Sequence, residues 1–394
     1  MKMRIELIVI GSEVLCGSVC DLNTETIALT LSKAGYTIVR QTTVIDDVKA
    51  VTEVLKEAFS RADIVLTTGG LGSTVDDVTR QAITELLGGS FAPKEEIKNH
   101  IGIASGLVIC PFKKTLIALP GVPSELESMM KKGVLEYLSR NFPIKKGYYR
   151  DHFSLLFKQE QEVDPLIRRL QEKFPEFLFG IYPDNPIFGI LTVSISSEQF
   201  SKEEFLIYSL PILEEMKNLY PNELYRTPTG LIEEALHLHF VESNQTLAFA
   251  ESCTGGVMSQ RITKFPGASR YFLGSLVTYS NELKEEVLGV AEETLLDWGA
   301  VSDLCVREMV EGLFYRTKAD WAVAVSGIVG PTGGSIEKPV GTVYYAIAKQ
   351  GIILQSGLLP NSVYRERETL MQISATHLFG YLWRLIHDHS KIAP

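Results

Sequence analysis

The stretch Ala250-Glu251-Ser252-Cys253-Thr254-Gly255-Gly256 joins an apolar segment to one with helical spacing. Residues 246–250 (TLAFA) are short and apolar, as in a buried strand, and residues 257–264 (VMSQRITK) carry apolar residues at helical spacing before Pro266-Gly267. A strand, turn and helix of this kind gathers backbone N–H groups and short polar side chains at a helix N-terminus. The stretch therefore predicts either a site for an anion or oxyanion, or a simple Ser/Thr N-cap followed by a glycine turn.

Further strands ending in polar loops follow this stretch. One apolar strand runs into residues 277–284 (VTYSNELK), and residues 322–326 run into residues 327–334 (GIVGPTGG). A third hydrophobic strand covers residues 340–348, and Arg365-Glu366-Arg367 begins a long final helix. We therefore predict a C-terminal α/β/α domain with a mixed sheet over residues 227–394.

This succession of motifs closely resembles the C-terminal domain of the competence/damage-inducible protein A (CinA) family. The resemblance covers nearly all of residues 246–386, and it is carried by AESCTGG (250–256), GAVS (299–302), SGIVGP (326–331) and EKPVGTV (337–343). It implies hydrolysis of the carboxamide of nicotinamide mononucleotide to nicotinate mononucleotide and ammonia, without a cofactor, in pyridine-nucleotide recycling. By the same resemblance Ser252 and Lys284 fall on catalytic positions, with Tyr279 from the same TYSNxxK motif nearby.

Amide hydrolysis needs a nucleophile, a base that later protonates the leaving ammonia, and donors for the oxyanion. The C-terminal sequence has no GxSxG turn and no histidine in the two polar loops, so Lys284 is the remaining candidate base for Ser252. Burial would lower the pKa of Lys284 toward the working pH, whereas the alternative is a solvated lysine in a charged helix start. Cys253 is a rival nucleophile that we expect to be a packing residue instead.

The substrate is expected to contact both loops and the final helix. Arg367 aligns with the arginine of the family's Gly-Asp-Arg turn, so we expect it to pair with the nucleotide phosphate. The alternative is a surface ion pair with Glu366 or Glu368. The other residues expected to bind substrate are Glu251, Thr254, Gly255, Gly256, Ser326, Gly327 and Gly330.

Length and composition limit the classes of function. A chain of 394 residues suits two or three domains. The net charge is −10 and no long basic run occurs, which argues against nonspecific binding to nucleic acid or anionic membranes. Five scattered cysteines form neither a disulfide framework nor a paired metal motif. No apolar run reaches membrane-spanning length and no signal-peptide pattern opens the chain, so we expect a soluble cytoplasmic protein.

Residues 1–146 alternate strand and helix patterns, which predicts a doubly wound parallel sheet. Predicted strands are residues 4–10, 36–44, 63–67 and 116–119, and predicted helices are residues 22–34, 48–61, 76–87 and 124–140, the last with Ser124 as N-cap and Glu127 at the capping-box position. A ligand site belongs at the carboxyl ends of such strands. The residues expected there are Glu13, Asp46, Gly69, Gly70 and Gly72, with Asp76 and Asp77 capping a helix or holding a divalent metal.

This region resembles the molybdopterin-binding domain of molybdenum-cofactor proteins and of the CinA N-terminus. The carrying motifs are GSEVLCG (11–17), DLN (21–23), TTGGLGSTVDDVTR (67–80) and LPGVPSE (119–125). Some members have a metal-dependent ADP-ribose pyrophosphatase activity, so ADP-ribose or a pterin is an alternative ligand. Here Ser73 replaces the usual proline, residues 89–99 form a shortened connection, and Ile103 and Ser105 depart from the pattern. We therefore expect weak or absent ADP-ribose hydrolysis.

Residues 147–226 predict a small α+β domain, with strands 148–157 and 187–197 and helices 163–174 and 202–219. This domain contains no catalytic constellation, so we expect it to space the larger domains or to pair two copies as a homodimer. His237 and His239 lie two positions apart on a predicted helix, residues 231–241, which argues against a shared metal. A non-catalytic regulatory role in competence or damage response is the second class of function.

Overall fold

The computed structural model describes residues 3–72, 78–184, 189–360 and 366–388. The chain forms two compact units, one of Met1–Arg150, Glu176–Leu178 and Ser196–Ser209, the other of Asp151–Pro175, Phe179–Ile195 and Leu210–Pro394. The predicted α/β class is confirmed. The two boundaries between the three domains expected from the sequence stay predictions. None of the described helices is both long enough and apolar enough to cross a membrane.

The first unit contains a six-stranded sheet in the order β2-β1-β3-β6-β5-β4. Its strands are β1 (Ile5–Ile10), β2 (Ile38–Val44), β3 (Ile64–Thr68), β4 (Glu95–Ile97), β5 (Gly106–Ile109) and β6 (Thr115–Leu119). Its helices are α1 (Ser12–Leu15), α2 (Leu22–Lys33), α3 (Val48–Arg61), α4 (Thr79–Leu87), α5 (Pro123–Met129), a π-helical turn (Met130–Val134) and α6 (Leu135–Asn141). The first four strands in that order are parallel, and β5 and β4 add an antiparallel edge.

The apolar strands of this sheet are covered on both faces. In β1, Leu7 belongs to the core cluster that includes α2, whereas Ile8 belongs to the cluster that includes α3. Successive strand residues point to opposite faces, which explains why every residue of β1 is buried. The doubly wound parallel arrangement predicted for this region is therefore confirmed.

The predicted start of the helix after β6 was wrong. The helix begins at Pro123 with Val122 as N-cap, so Ser124 lies inside the first turn. Proline suits the first helical position because its missing N–H has no partner there in any case. Glu127 forms no capping box, and its carboxylate instead lies 2.6 Å from Lys131 Nζ.

The segment between the two larger sheets forms a four-stranded sheet in the order β10-β7-β9-β8. Its elements are β7 (Tyr149–Leu156), α7 (Glu160–Lys173), β8 (Leu178–Asp184), β9 (Ile190–Ser197), α8 (Lys202–Leu219) and β10 (Leu224–Tyr225). The predicted strand over residues 187–197 is found from Ile190, and residues 187 and 188 lie outside the described residues.

The C-terminal part of the second unit contains a five-stranded sheet in the order β12-β11-β13-β14-β15. Its elements are α9 (Ile232–Ser243), β11 (Leu247–Glu251), α10 (Val257–Thr263), β12 (Phe272–Val277), α11 (Asn281–Leu288), α12 (Glu292–Asp297), α13 (Asp303–Thr317), β13 (Trp321–Gly327), β14 (Val343–Lys349), β15 (Ile352–Leu358) and α14 (Arg367–His387). Strand β11 is parallel to β12 and β13, whereas β14 and β15 are antiparallel.

Helices cover both faces of this mixed sheet. Phe249 of β11 packs with residues of α9, α10 and α14, whereas Ala248 and Ala250 pack against α13. The predicted α/β/α arrangement is thus confirmed. Because β11, β12 and β13 run parallel, the loops that follow them meet at one edge of the sheet.

Candidate active site

Ser252 lies directly after the central strand β11. Glu251 pairs with Val277 on one side and with Val325 on the other, and Ser252 N–H donates to the Val325 carbonyl at 3.1 Å. The residues Ser252–Gly256, here called the Ser252 loop, therefore begin between the ends of two neighbouring strands. Ser252 itself is 7% exposed.

Helix α11 places Lys284 beside this serine. The Ser280 hydroxyl caps the helix by accepting from Leu283 N–H, so the helix begins soon after β12 ends. Lys284 Nζ lies 3.0 Å from Ser252 Oγ, 2.8 Å from the Thr278 carbonyl and 3.4 Å from the Tyr279 carbonyl. All three partners are neutral oxygen atoms.

The environment of Lys284 is buried rather than solvated. The residue is 1% exposed although its sequence neighbours are charged, so the alternative of a solvated lysine is wrong. Burial lowers the pKa of Lys284 from its usual range because the charged form loses its hydration. The structure thus joins the two residues that the sequence proposed as nucleophile and base, while their roles stay predictions.

Glu251 lies beneath the Ser252 loop and is fully buried. One carboxylate oxygen accepts from Thr254 Oγ1 (2.8 Å), Gly256 N–H (3.0 Å) and Met258 N–H (3.1 Å), and the other from Ser259 N–H (3.1 Å), Ser259 Oγ (2.5 Å) and Ser275 Oγ (3.2 Å). The alternative of a Ser/Thr N-cap was wrong, since the N-cap of α10 is Gly256 at φ 99°. Substrate binding by Glu251 stays a prediction that this interior position does not favour.

Cys253 packs in the core of the second unit, as expected. It is 3% exposed, and burial raises its pKa to about 12. A thiol with such a pKa stays protonated at neutral pH and is a weak nucleophile.

Arg367 is the first residue of α14 and connects two walls of the site. Its Nη1 donates to the Gly330 carbonyl at 2.6 Å, and its Nη2 donates to Tyr279 Oη at 2.7 Å. Within the described parts of the chain, Arg367 forms no ion pair with Glu366 or Glu368. Tyr279 is 58% exposed. Its phenol contacts Arg367, and its backbone carbonyl contacts Lys284.

The other residues expected to bind substrate occupy the same edge of the sheet. Thr254 is buried against Glu251, and Ser326 Oγ donates to the Ala300 carbonyl at 2.7 Å. Gly255 and Gly256 have φ of 58° and 99°, in the left-handed region that glycine adopts without strain. Gly327 ends β13 opposite Val343. Substrate contacts by these residues stay predictions.

The histidines of α9 do not converge. His237 Nδ1 lies 3.1 Å from Tyr271 Oη, whereas His239 packs against Phe240 and His387. The two side chains therefore have different neighbours, and the absence of a shared metal stays a prediction.

The first unit contains a separate cavity of about 1200 Å³ at the carboxyl ends of its strands. Its walls include all five residues predicted for a nucleotide site, namely Glu13, Asp46, Gly69, Gly70 and Gly72, together with Asn23, Arg80 and Glu125. At Gly69, φ is 98° and a Cβ atom would lie 2.0 Å from the Ile10 carbonyl oxygen, so only glycine fits there. The structure brings these residues together, and their binding role stays a prediction.

The candidate metal ligands of this cavity, Asp76 and Asp77, lie outside the described residues. Elsewhere in the first and second units, the described residues include no group of three histidine, cysteine or acidic side chains that could hold a metal ion.

Two known protein families match separate parts of the chain. Residues 230–385 match the family model described as CinA C-terminal domain, and residues 6–140 match the one described as probable molybdopterin binding domain. The chain is 33% identical to a CinA-like protein of Amoebophilus asiaticus over 96% of this chain and 98% of the relative. It is 34% identical to a CinA-like protein of Pseudothermotoga lettingae over 88% of this chain and 90% of the relative.

The chain therefore belongs to the CinA-like protein family. Among solved structures, the competence/damage inducible protein CihA of Agrobacterium tumefaciens is 34% identical, with a TM-score of 0.37. That match covers 38% of this chain and 91% of the solved chain.

Proposed function

We propose that the second unit hydrolyses the carboxamide of nicotinamide mononucleotide to nicotinate mononucleotide and ammonia. The observation that carries this proposal is the 3.0 Å contact between Ser252 Oγ and the buried Lys284 Nζ. The identity of the substrate is inferred from the resemblance of the surrounding motifs to the CinA C-terminal domain. The proposal makes Ser252 the nucleophile and Lys284 the base.

The three contacts of Lys284 suit a neutral amine. A neutral amine has two N–H groups and one lone pair. The carbonyls of Thr278 and Tyr279 can accept the two N–H groups, which leaves the lone pair for the Ser252 hydroxyl proton. Burial favours this neutral form because it lowers the pKa of Lys284. The amine is therefore oriented to take the proton as Ser252 Oγ attacks.

The reaction then proceeds through an acyl-enzyme. Ser252 Oγ bonds to the carboxamide carbon, and Lys284 passes the serine proton to the nitrogen as the C–N bond breaks and ammonia leaves. Water attacks the resulting ester, one of its protons goes to Ser252 Oγ through Lys284 as the ester bond breaks, and the acid product loses the other proton to solvent as it leaves as a carboxylate. In the Ser252 loop, Gly256 N–H donates to Glu251 and Gly255 N–H donates to the Ser252 carbonyl, so the N–H groups of Cys253 and Thr254 are the ones left for the oxyanion.

Arg367 is the proposed contact for the substrate phosphate. Its guanidinium already meets two neutral acceptors, the Gly330 carbonyl and Tyr279 Oη. A phosphate would offer charge-assisted hydrogen bonds, which are stronger than bonds to neutral oxygens. Tyr279 would then orient Arg367 rather than transfer a proton.

A coupled assay of ammonia release from nicotinamide mononucleotide tests the proposal. Wild type is expected to turn over, and Ser252→Ala is expected to remain folded and inactive. Ser243→Ala, at the end of α9, is the matched control and should keep wild-type turnover. Ammonia at background level from wild-type protein would instead favour the non-catalytic regulatory role.

The cavity of the first unit supports a second candidate function, the binding of ADP-ribose or a pterin. Its 1200 Å³ volume accommodates such ligands. We expect binding to exceed turnover, because the shortened connection between Gly89 and Asn99 removes part of one wall that would orient a diphosphate. Thermal-shift titration of Ser252→Ala protein, followed by AMP release from ADP-ribose with several divalent metals, tests this. Robust metal-dependent release would contradict the expectation.

A further inference from the structure

The Glu251 carboxylate is the shared acceptor of the segments that surround Ser252. Two of its donors belong to the Ser252 loop, two residues of α10 contribute further donors, and Ser275 contributes one from β12. The backbone of the same residue continues the connection, because the Glu251 carbonyl accepts from Thr278 N–H at 2.9 Å. Thr278 in turn accepts from Lys284 Nζ.

We propose that Glu251 is a positioning residue that holds Ser252 and the oxyanion N–H groups in register with Lys284, and that it does not bind substrate. The carboxylate accepts from the loop at Thr254 and Gly256, and Glu251 itself directly precedes Ser252, so Cys253 and Thr254 lie between fixed points of the chain. These are the residues whose N–H groups would receive the oxyanion. The inference rests on the proposed function, because it takes Ser252 as the nucleophile.

The identity of the six donors explains why this position requires a carboxylate. Three donors are backbone N–H groups, those of Gly256, Met258 and Ser259, and they cannot turn away or become acceptors. An ionised carboxylate offers acceptors only, on both oxygens. The amide of a glutamine would point an N–H group at one or two of these backbone donors whichever way it was flipped. Glu251→Gln keeps the size of the side chain and breaks its hydrogen-bond pattern.

The negative charge of Glu251 is also stabilised locally, by the start of helix α10. The donors from Gly256, Met258 and Ser259 are the free N–H groups at the start of α10, where the helix dipole stabilises negative charge. The protein's own carboxylate thus satisfies these groups. A substrate anion has to be recognised elsewhere, as by Arg367.

Labelling of Ser252 by an arylsulfonyl fluoride tests this inference without the natural substrate. Ser252 Oγ bonds to sulfur, fluoride leaves, and the serine proton passes to Lys284. Mass spectrometry follows the rate. We expect Glu251→Gln to be labelled at least about ten-fold more slowly than wild type. Ser259→Ala removes one hydroxyl donor at little risk to folding, and we expect it to be labelled about two- to five-fold more slowly.

Chemical rescue separates positioning from general stability. Glu251→Ala removes a fragment the size of acetate, so acetate is expected to raise its labelling rate at least about five-fold over sodium chloride of equal ionic strength. Asp320→Asn is the matched control, because Asp320 accepts from Thr246 N–H and Oγ1 at the opposite end of β11. It should lower the melting temperature and keep the wild-type labelling rate.

The possible results separate this inference from the proposed function. Wild-type labelling rates in Glu251→Gln, or no response of Glu251→Ala to acetate, would overturn the inference. Labelling of wild type without ammonia release would show that nicotinamide mononucleotide is not the substrate, and it would leave the inference about Glu251 standing. Failure to label Ser252 in wild type would refute the nucleophile itself.

Discussion

Replacing Lys284 with methionine is expected to lower kcat for the proposed amide hydrolysis by about 10²- to 10⁴-fold. That loss corresponds to about 2.7 to 5.5 kcal/mol of transition-state stabilisation. Methionine is unbranched and fills the buried volume, so the chain should stay folded. The Thr278 carbonyl loses its 2.8 Å partner, which costs about 1 to 3 kcal/mol, and removal of a buried amino group offsets part of that cost.

The pH dependence of kcat/KM identifies the role of the amine. Only the neutral form of Lys284 accepts a proton, so activity should rise with pH up to the pKa of this group and then level off. Burial lowers that pKa, so the plateau should begin below the usual 10.5. The same lowered pKa means that folding stability increases with pH through this window, because the unfolded chain binds the proton more tightly. Lys284→Met should lack the rising limb of kcat/KM.

The double variant Ser252→Ala/Lys284→Met completes the test. Two residues that act in one proton transfer have non-additive effects, so the double variant should be little worse than either single variant. Lys318→Met, at an exposed helix end, is the control and should keep the wild-type profile. An unchanged rising limb in Lys284→Met, or a multiplicative loss in the double variant, would refute the reasoning.

Three further predictions use the same assays and a stability measurement. Arg367→Ala should raise KM about ten- to a hundred-fold, since a charge-assisted contact contributes about 1.5 to 3 kcal/mol, whereas nicotinamide riboside, which lacks the phosphate, should react equally poorly with variant and wild type. Cys253→Ala should retain most activity, because burial raises the thiol pKa to about 12, and a large loss would restore the thiol as nucleophile. Burial lowers the pKa of His377 to about 4, so the unfolded chain takes up the proton first, and urea unfolding should reveal a loss of about 3 kcal/mol as pH falls from 6.5 through 4. His377→Phe should lack that loss. If the stability of His377→Phe still fell with pH as in wild type, His377 would not be the group responsible.

The sequence was most informative where an element has a strong apolar pattern. The predicted bounds of α3 and α8 match the structure, and the parallel strands lie within a few residues of their predicted ends. Strands β4 and β10 have three and two residues, too few to display alternation. Strands β5, β8 and β15 were also missed. Such strands are defined by their pairing partners rather than by their own composition.

At the candidate site the sequence indicated which residues come together, but it did not indicate how deeply they are buried. Lys284 lies among glutamates, so its local composition indicates a solvated helix. The buried residues of α11 are Lys284 and Leu288, four positions apart on one helical face. That spacing was the available signal, since a lysine that shares a face with a buried leucine is turned toward the core. Glu251 gave no comparable signal. Five of its six donors lie within eight positions of it in sequence, but their convergence on one carboxylate depends on the path of the turn after β11, and the sixth comes from Ser275 on β12.

The position of Glu251 also decides where a substrate anion can bind. The glycine-rich turn before α10 predicted an anion site from its free N–H groups, but the Glu251 carboxylate already accepts from Gly256, Met258 and Ser259. A phosphate at the start of α10 would face a buried negative charge, and these three N–H groups are already occupied. Arg367 instead offers a cation whose present partners are neutral oxygens. Its guanidinium donates a hydrogen bond to Tyr279 Oη, and the backbone carbonyl of Tyr279 accepts one from Lys284. The proposed phosphate contact and the proposed proton transfer would therefore meet at Tyr279, which is why the loss in Arg367→Ala should fall on KM first and on kcat only through Tyr279.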